Sequence, residues 1–484
     1  MSATATPDAP AGAAPSSDSA SGLPRLRPYQ AAVARAVLER VVGGEGGSIS
    51  VQIARQGGKN ELSAQLELVL LLIRQRAGGT IVKCAPTFEP QAAISRDRLL
   101  ARANGARLGA IVRREGAASV RCGRAAARFL SAGPGASVLG HTADLLLEVD
   151  EAQEVPAEKF DRDFRPMAAS TNAPVVFYGT PWGPRSLLAQ AEAAHREAER
   201  ADGRRRCFRF DWEHVAAHNP PYGAYVEEER RRLGERHPLF RTQYLLEELH
   251  EQDRLLDGAA LAQIEGAHER RRTPLRGERY VAGLDLAGPA LEGGRIAEQH
   301  DWTVLTIARV RAGSGDRAGL PLLEIVEHQA WQGVPAGELL DALADRLARV
   351  WRVRRVVVDA TGLGGPVADL LARRLPAGRV VPFTFTAERK SQLGFGLLAA
   401  VHSGRLRLYR VDGSREAAEC RVQLERARAA YGERGQTQFS VDPSEGHDDY
   451  LMSLALAVHA ARDEGGSRTA RGRTPADAIE AVAA

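Results

Sequence analysis

The sequence predicts an α/β protein with two sheet-containing domains and a helical segment between them. Strand-like and helix-like stretches alternate from Pro28 to Tyr178, which is the pattern of a mostly parallel sheet. A helical, strongly charged stretch follows over residues 186–276, and a second series of strands and helices runs from Tyr280 to Ala461. We therefore expect a mostly parallel sheet in the first half and a mixed sheet, built around a hairpin, in the second.

Composition places the chain among globular proteins. It has 484 residues, 44% of them hydrophobic and 26% charged, with a formal net charge of +4. No apolar run approaches the ~18 residues that a membrane span needs. The N-terminal residues lack the basic and apolar regions of a signal peptide. The four cysteines form no CxxC pair, which argues against a disulfide framework or a zinc ribbon. We expect a cytoplasmic protein that is neither secreted nor bound to a membrane.

The expected domain scheme has five parts. Residues 1–22 are rich in Ala, Ser and Pro, and residues 464–484 are mainly small and polar, so we expect both ends to be disordered. The first α/β domain should cover residues 23–185 and the second residues 277–463. Between them, residues 186–276 should form a helical linker or subdomain.

The first half alternates between the two hydrophobic periods. Apolar residues at helical spacing predict helices over Pro28–Val42 and Asn60–Arg76. Short apolar or alternating runs predict strands at Ser48–Ala54, Thr80–Ala85, Ser119–Arg121 with Ala127–Leu130, Leu145–Val149 and Val175–Tyr178. In such a sheet the ligand site lies at the carboxyl ends of the strands.

A phosphate-binding loop is the first candidate site. It lies between a predicted strand and a predicted helix and consists of Arg55, Gln56, Gly57, Gly58, Lys59 and Asn60. Backbone N–H groups and a helix N-terminus at such a place bind phosphate, and a lysine reaches the β- and γ-phosphates. The motif is imperfect, because Ile53 stands at the usual first glycine and Asn60 at the usual Ser or Thr. An ordinary Gly-rich turn remains the alternative.

An acidic pair ends the strand Leu145–Val149. In ATPases with a phosphate loop, the first acid, in this chain Asp150, holds magnesium, and the second, Glu151, orients and deprotonates the attacking water. Such a pair is also a common helix cap. Its order and spacing after the loop favour a P-loop ATPase domain that uses ATP and Mg²⁺.

Two further segments fit a nucleotide site. Thr180 follows the strand that ends at Tyr178, where motor ATPases place a polar residue that senses the γ-phosphate; a Gly-Pro turn is the simpler explanation. Gln30, next to Tyr29, precedes the loop by one helix, and this matches a pattern in which glutamine hydrogen-bonds to adenine.

The second half contains a predicted hairpin between two acidic strands. Strands are expected at Tyr280–Leu286, Arg355–Asp359 and Val380–Phe385, with the hairpin formed by Thr303–Val310 and Leu322–Gln329. Helices are expected at Ala336–Val350, Pro366–Leu375 and Asp448–Ala461. This is the element order of an RNase H-like nuclease.

Four aspartates are the candidate metal ligands of that domain. Asp285 lies in the first strand, Asp359 ends the second acidic strand, and Asp448 and Asp449 begin the last helix. A buried carboxylate needs a partner, and carboxylates from separate elements are what two-metal phosphodiester cleavage requires. The simpler alternatives are a strand-end cap for Asp359 and helix N-caps for the other two. Asp301 and His447 are candidates to assist from nearby, and the favoured alternative is that both are surface polar residues.

Lysine is rare in this chain. It occurs only at Lys59, Lys83, Lys159 and Lys390, among 65 basic residues. Arginine and lysine are not interchangeable, so a lysine kept in an arginine-rich chain marks a position where the compact ammonium group is needed.

The ordered combination of these motifs resembles the large terminase subunit of tailed double-stranded DNA phages. The resemblance covers roughly Leu26 to Ala461 and depends on order, since no single motif is specific. It implies an ASCE-type (RecA-like) motor domain that pumps DNA into a procapsid and a nuclease domain that cuts concatemeric DNA with two Mg²⁺ or Mn²⁺ ions. By position, Lys59 resembles the phosphate-binding lysine, Asp150 the magnesium ligand, Glu151 the catalytic carboxylate, Thr180 the coupling motif, Gln30 the adenine-binding residue, and Asp285, Asp359, Asp448 and Asp449 the nuclease ligands.

The resemblance also implies partners. They are double-stranded DNA, the portal of the procapsid, a small terminase subunit that selects the packaging site, and further copies of the chain. The copies would form a ring during packaging, a pentamer by the resemblance, with a monomer in solution. The place of action would be the cytoplasm of a bacterial host, transiently at the portal.

Three alternatives stay open. A superfamily-2-like helicase–nuclease would need a second RecA-like domain, and residues 186–276 are too short and too helical for one. A resolvase-like nuclease with a degenerate nucleotide-binding domain is favoured slightly by Ile53 and Asn60. The third is a defective prophage remnant, although all the expected acids are present.

Overall fold

The structure is a computed structural model that describes residues 25–462 except 139, 250–251, 288–290, 293–294, 297–301, 314–319, 363 and 433–435. These residues form two compact units. The first contains the described residues up to Gly179 together with Ser186–Phe210, and the second contains Thr180–Arg185 and the described residues from Asp211 onward. The two predicted disordered ends lie outside the described residues. No helix in the described ranges has the length and apolar character to span a membrane.

An eight-stranded sheet forms the centre of the first unit. Its order is β3-β4-β5-β2-β6-β7-β1-β8, parallel from β5 to β8 and antiparallel at the β3-β4-β5 edge. The strands are β1 (Ser48–Ile53), β2 (Gly79–Ala85), β3 (Val112–Glu115), β4 (Ser119–Cys122), β5 (Ala125–Ser131), β6 (Leu146–Val149), β7 (Val175–Gly179) and β8 (Cys207–Phe210). This mostly parallel sheet confirms the predicted fold class of the first half.

Helices connect the strands of this sheet. They are α1 (Pro28–Gly43), α2 (Lys59–Arg74), α3 (Ala93–Gly105), α4 (Ala157–Lys159), α5 (Arg165–Ala169) and α6 (Leu187–Asp202), with π-helical turns at Phe88–Ala92 and Phe160–Phe164. The central strands are buried on both faces, as a parallel sheet covered by helices requires. Phe160, Phe164 and Phe177 pack in its core.

Two strands of the first unit were not predicted, the edge strand β3 (Val112–Glu115) and β8. Residues 186–276 were expected to be helical, but β8 (Cys207–Phe210) lies within them and pairs in parallel with β1. Phe208 and Phe210 are buried while Arg209 is exposed, so this strand has the alternation of a half-covered edge strand. The arginines before it hid that short pattern. The expected linker is shared between the units, with residues 186–210 in the first and 211–276 in the second.

A six-stranded mixed sheet forms the centre of the second unit. Its order is β16-β15-β10-β13-β14-β17, with β10 antiparallel to β13 and parallel to β15. The strands of the unit are β9 (Gln252–Arg254), β10 (Arg279–Asp285), β11 (Leu291–Glu292), β12 (Arg295–Ile296), β13 (Thr303–Ala312), β14 (Pro321–Trp331), β15 (Arg355–Asp359), β16 (Val380–Phe383), β17 (Leu406–Arg407), β18 (Arg428–Tyr431) and β19 (Thr437–Ser440). The mixed sheet and the β13–β14 hairpin confirm the prediction for this half.

The second unit also contains nine helices in the described ranges. They are α7 (Trp212–Ala217), α8 (Pro220–Leu233), α9 (Pro238–Phe240), α10 (Gly258–Ile264), α11 (Ala336–Ala344), α12 (Gly364–Arg374), α13 (Ala387–His402), α14 (Arg415–Arg426) and α15 (Asp449–Ala460). Of these, α15 contacts β10 and β13, and α12 contacts β15 and β16. The helix predicted over Ala336–Val350 has the expected extent, with α11 from Ala336 to Ala344 and a π-helical turn from Asp345 to Val350.

Strand β10 separates two hydrophobic cores. Val281 packs with α13 and α15 on one face, whereas Tyr280, Ala282 and Leu284 pack with α11 and α12 on the other. This alternation follows from the two-residue period of a strand. Both faces are therefore covered, and the carboxyl end of β10 is buried.

Candidate functional site

The predicted phosphate loop connects β1 to α2. Gln56 and Gly58 have φ angles of 60° and 96°, and glycine adopts such a left-handed conformation without a steric penalty. Arg55 and Gln56 are exposed and Gly57 is buried. Lys59 is the first residue of α2. The loop thus ends in a helix N-terminus, the arrangement that binds anions.

Two acids follow β6 at the edge of the sheet where the loop lies. Lys59 Nζ is 3.4 Å from Glu151 Oε1, and Gln153 Nε2 donates to Glu151 Oε2 at 2.6 Å. Burial raises the pKa of Glu151, but the Lys59 ammonium and the Gln153 hydrogen bond outweigh it, so this pKa lies below its ordinary value. Glu151 is therefore an ionised carboxylate near neutral pH.

Asp150 is held in place from two directions. Ser95 Oγ donates to Asp150 Oδ2 at 3.2 Å, and the backbone N–H of Glu151 donates to Oδ1 at 3.1 Å. Its side chain is buried, and Asn60 lies partly exposed in the first turn of α2. The structure thus brings the loop, the lysine and both acids to one edge of the first sheet.

Tyr29 and Gln30 support the loop directly. Tyr29 Oη donates to the carbonyl of Gly57 at 2.6 Å, and Gln30 Nε2 donates to the carbonyl of Gly58 at 2.9 Å. Gln30 Oε1 accepts from the backbone N–H of Arg27 at 2.8 Å. Both ends of the Gln30 amide are thus used within the protein. Its predicted adenine contact stays a prediction.

Thr180 directly follows β7 and is buried. It belongs to the second unit, whereas Gly179 is the last β7 residue of the first. Its predicted role as the residue that senses the γ-phosphate stays a prediction.

A buried lysine cluster lies beneath the acidic pair. It consists of Lys83 on β2, Ser63 and Glu67 on α2, and Glu148 on β6, all at most 2% exposed. Lys83 Nζ is 2.7 Å from Ser63 Oγ and 3.3 Å from Glu67 Oε1, and Ser63 Oγ is 2.8 Å from Glu148 Oε1. Burial and the nearby charge of Glu67 hold the pKa of Glu148 well above its ordinary value. The cluster joins the helix of the phosphate loop to the strand that carries Asp150.

The second candidate site lies at the carboxyl ends of β10 and β15. The two strands are parallel, with Leu284 opposite Val358, so Asp285 and Asp359 follow at adjacent positions of the same sheet edge. The backbone N–H of Thr361 donates to Asp359 Oδ1 at 2.8 Å. Asp285 is buried, whereas Asp359 is partly exposed.

Gly283 brings α15 to this edge. A β-carbon at Gly283 would collide with backbone atoms of Ser453 and Ala457 on α15, so only glycine permits the helix to lie this close to β10. Thr306 Oγ1 and Ser453 Oγ form a buried hydrogen bond of 2.5 Å beside that contact. The first residue of α15 is Asp449, and the helix therefore presents its acidic N-terminus to Asp285.

The four aspartates, Asp285, Asp359, Asp448 and Asp449, form what we call the carboxylate cluster. Burial, followed by the charges of Asp449, Asp359 and Asp448, raises the pKa of Asp285 well above its ordinary value. Burial also raises the pKa of Asp359. Like charges are therefore close enough to oppose one another, which is the condition that divalent cations relieve.

The donor set fits hard cations. All four candidate ligands are carboxylates, and oxygen is the donor that Mg²⁺ and Mn²⁺ prefer. As they stand, however, no three His, Cys, Asp or Glu side chains within the described ranges are placed to hold a metal ion. The cluster is close enough for its charges to interact, and metal binding would require its side chains to adjust.

The assisting roles considered for His447 and Asp301 stay predictions. His447 precedes Asp448 and is partly exposed, and it lines a cavity of about 630 Å³ that also includes Trp302 and Tyr450. Asp301 lies outside the described residues.

Several residues near the two sites were not predicted to matter. In the first unit they are Ser95 and Gln153, which bond the two acids, and no sequence pattern marks either. In the second unit, the backbone N–H of Trp302 donates to Asp449 Oδ2 at 3.2 Å. The positive charge of Lys390 acts on both Asp285 and Asp359. Only the rarity of lysine pointed to Lys390.

These features define a class of protein. The first unit has a mostly parallel α/β sheet with a Gly-containing loop between β1 and α2, the arrangement expected of a P-loop domain, and the second has the mixed sheet of RNase H-like domains with aspartates at its edge. Comparison with known proteins specifies the second unit further. Residues 282–461 match the family model of the terminase RNase H-like domain, a range that contains the whole carboxylate cluster.

Solved structures of one large terminase share the fold of the chain at TM-scores above 0.5. The large terminase of a thermophilic bacteriophage, in one of its crystal forms, is 11% identical, with 90% of this chain and 99% of that chain covered and a TM-score of 0.53. The same protein in complex with ADP is 12% identical, with the same coverage and a TM-score of 0.52. The large terminase of bacteriophage HK97 is 17% identical over 90% of this chain and 95% of that chain, with a TM-score of 0.39. No curated protein matches the sequence.

Residues 282–461 of the second unit are therefore similar to the terminase RNase H-like domain. The resemblance to phage large terminase subunits, which the ordered motifs predicted, is confirmed. At these identities the structural likeness concerns the fold, and the activities and residue roles are argued below.

Proposed function

We propose that this chain is a DNA-packaging protein with two activities, an ATPase in the first unit and a metal-dependent DNA endonuclease in the second. The observation that carries the proposal is the presence of two acidic sites with different surroundings. One lies beside a phosphate loop and a lysine, and the other is made of four aspartates on two adjacent strands and a helix. Triphosphate hydrolysis and phosphodiester cleavage need these two arrangements respectively.

The residues of the first site suit ATP hydrolysis. The loop Arg55–Asn60 would enclose the phosphates with its N–H groups, and Lys59 would place its charge on the β- and γ-phosphates. Asp150, with Asn60, would hold Mg²⁺, which neutralises charge on the phosphates when bound. Glu151 is ionised and would take the proton of the attacking water once phosphate draws Lys59 away. Thr180 would sense the γ-phosphate.

In this proposal, Gln30 both supports the loop and binds the nucleotide. The amide that now supports Gly58 would hydrogen-bond to adenine when nucleotide enters, so nucleotide binding would change the support of the loop. The large terminase of the thermophilic phage, which has the same fold, forms a complex with ADP, and this supports nucleotide binding by the first unit.

The residues of the second site suit phosphodiester cleavage. Asp285, Asp359, Asp448 and Asp449 would hold two Mg²⁺ or Mn²⁺ ions, which supply an activated water and stabilise the leaving oxygen when bound. Asp285 and Asp449 are buried, so they would exclude bulk water from one side of the site. Thr361 keeps Asp359 pointed toward the sheet edge through its backbone N–H.

The proposed substrate and partners follow from this function. The substrate is double-stranded DNA, bound through its backbone by arginine-rich surfaces, so binding should be salt-sensitive and largely independent of sequence. The portal of a procapsid, a small terminase subunit and further copies of the chain in a ring are the proposed partners. The work would take place in the cytoplasm of a bacterial host.

Two variants test whether the ATPase and nuclease activities use separate sites. Glu151→Ala should lower ATP turnover by about 10²–10⁴-fold, the usual contribution of a general base, and leave Mn²⁺-dependent cutting of plasmid DNA intact. Asp359→Ala should abolish cutting and leave ATP turnover intact. Loss of both activities in both variants would contradict two separate sites.

The same assays separate the alternatives. Undetectable ATP turnover with intact cutting would select a resolvase-like nuclease with a degenerate nucleotide-binding domain. ATP-driven separation of DNA strands would select a helicase–nuclease. Loss of ATP turnover in the parent chain together with loss of cutting would select a defective remnant.

A further inference from the structure

A cavity of about 630 Å³ adjoins the carboxylate cluster. Its walls are formed by residues of α14, of the segment 441–447 before α15, and by Trp302. The backbone N–H of Trp302 donates to Asp449 Oδ2 at 3.2 Å, and the lining residues His447 and Tyr450 flank the two aspartates of the cluster in the chain. Cavities of this size hold small molecules or parts of larger ones. A group bound in it would lie beside the proposed nuclease site.

Arg415 is held over the ring of Trp302 in this cavity. Its guanidinium carbon is 4.2 Å from the centre of the ring, within the range of cation–π attraction. Trp302 therefore makes two contacts, one from its ring to Arg415 and one from its backbone N–H to Asp449. The positive charge of Arg415 is thus tied to the carboxylate cluster through a single residue.

The charge of Arg415 is not used by neighbouring acids. Glu419 follows four residues later on α14, a spacing at which helix ion pairs commonly form, yet within the described ranges no carboxylate lies at ion-pair distance from Arg415. The side chain of Arg415 is exposed, and Arg415 is the first residue of α14. Unpaired N–H groups at that end of a helix favour anions and disfavour cations. An anion bound beside Arg415 would be stabilised by both the guanidinium and the helix end.

The other arginine among the described lining residues is already engaged. Arg426 donates from its guanidinium to the backbone carbonyl of Glu445. The carboxylate of Glu445 in turn pairs with Arg428 at 3.6 Å. These contacts hold the wall of the cavity together, so Arg415, and not Arg426, is placed to receive an anion from outside.

We propose that Arg415 binds a phosphate of the DNA strand next to the phosphate that is cut, and that Trp302 holds the guanidinium in place. This inference rests on the proposed nuclease function, because a strand bound at the carboxylate cluster carries further phosphates on either side of the cut. A planar guanidinium binds a phosphate through two parallel hydrogen bonds. The contact reaches only the backbone of the DNA, so it adds affinity without sequence preference. Arg415 is thus a substrate-binding residue and Trp302 a positioning residue.

A matched control lies on the same helix. Arg421 also belongs to α14, but its guanidinium pairs with Glu265 at 2.5 Å and with Glu425 at 3.2 Å. It lines a different cavity, of about 170 Å³. Arg415→Gln and Arg421→Gln therefore each remove one positive charge from α14, while only the first removes it from the cavity beside the cluster.

The test measures kcat and KM for Mn²⁺-dependent cutting of plasmid DNA by the full-length chain, without nucleotide, at several salt concentrations. Arg415→Gln should raise KM about tenfold or more, the loss expected from one hydrogen bond between charged groups, with kcat near that of the parent. The slope of log KM against log salt concentration should fall by about 0.9, as when one phosphate contact is lost. Arg421→Gln should keep the KM and the salt slope of the parent. Arg415→Lys, which keeps the charge without the planar fork, should recover part of the KM.

A double variant tests the positioning role of Trp302. Trp302→Leu removes the ring but keeps the backbone N–H that holds Asp449, so it should raise KM less than Arg415→Gln and leave Mn²⁺ binding, measured by calorimetry, unchanged. Arg415→Gln/Trp302→Leu should match Arg415→Gln alone, because Trp302 acts through Arg415. Additive effects, or a loss of Mn²⁺ binding in Trp302→Leu, would overturn that role.

Asp285→Ala separates the failure of this inference from the failure of the proposed function. If the parent does not cut plasmid DNA, or if Asp285→Ala cuts as well as the parent, the nuclease site itself is wrong. If Asp285→Ala is inactive while Arg415→Gln keeps the KM and salt slope of the parent, only the role of Arg415 is overturned. Equal rises of KM in Arg415→Gln and Arg421→Gln would overturn it too, since the general charge of α14 would then account for DNA binding.

Discussion

The buried carboxylates of the two units have different neighbours. In the first unit, the two acids of the proposed ATP site and the two of the buried lysine cluster lie beside a lysine or a hydroxyl group: Lys59 beside Glu151, Ser95 beside Asp150, and Lys83 with Ser63 between Glu67 and Glu148. In the second unit, the aspartates of the carboxylate cluster lie mainly beside one another, and the pKa of Asp285 is raised well above normal. The pKa of Glu148 in the first unit is also raised, but Lys83 and Ser63 lie beside that carboxyl group. The second site would instead gain its balance from bound cations.

The unfolding of each unit can be measured separately. All five tryptophans, Trp182, Trp212, Trp302, Trp331 and Trp351, belong to the second unit. Tryptophan fluorescence therefore follows the unfolding of the second unit alone. Hydrogen exchange measured on peptides from β2 and α2 follows the first.

The largest effect on stability is expected from Lys83→Met. It leaves Glu67 and Glu148 buried without their cation, and breaking a buried ion pair from one side costs about 3–5 kcal/mol. Hydrogen exchange should show that loss in the first unit, with unchanged tryptophan fluorescence. Lys83→Met/Glu67→Gln should recover much of it, because the second change removes the stranded charge. No recovery in the double variant would mean that packing, and not charge balance, holds this cluster.

Gly283→Ala should destabilise the second unit by about 1–3 kcal/mol, the usual cost of forcing extra atoms into a packed core. The new methyl group would push α15 from β10 and move Asp449 away from Asp285. Urea unfolding followed by tryptophan fluorescence measures the change. Gly337→Ala on α11 is the control, because nothing lies within 4 Å of its β-carbon position. Equal stability of the two variants would contradict the close approach.

Asp285→Asn should stabilise the metal-free second unit at neutral pH, because burial and the neighbouring aspartates raise the pKa of Asp285 and so disfavour its ionised form in the folded state. An acid whose folded pKa is raised lowers stability as the pH rises from its unfolded pKa toward its folded one. The gain should therefore disappear below about pH 4. Urea unfolding at several pH values measures it.

The same substitution at Asp150 tests whether the first unit responds differently from the second. Asp150→Asn should not stabilise the first unit, because Asp150 already accepts two hydrogen bonds. A gain of similar size at both positions, measured by hydrogen exchange for the first unit, would remove the contrast between the two sites.

The smallest effect on stability is expected from Lys59→Met. Its pair with Glu151 is partly exposed to solvent, and pairs of that kind contribute less than about 1 kcal/mol. ATP turnover should nevertheless fall at least about 10²-fold, as when a single group that stabilises transition-state charge is removed. A large loss of stability would show that Lys59 serves the fold more than the reaction.

Much of the architecture was predictable because apolar periodicity marks strands and helices directly. The P-loop position between β1 and α2, the β13–β14 hairpin and the acidic ends of β6, β10 and β15 all follow from local sequence. Strand β8 was missed because only two buried phenylalanines mark it among arginines. The roles of Ser95, Gln153 and Lys390 depend on contacts between segments far apart in the chain, which one sequence does not record.

Gly283 has a consequence for metal selectivity. Where a helix backbone rests directly on a strand backbone, the separation of their ends is fixed by the core itself. Asp285 and Asp449 would then form the rigid half of a cation cage, while partly exposed Asp359 forms the adjustable half. Ions that tolerate irregular coordination would settle into such a half-rigid cage more readily than magnesium, which demands a near-ideal octahedron.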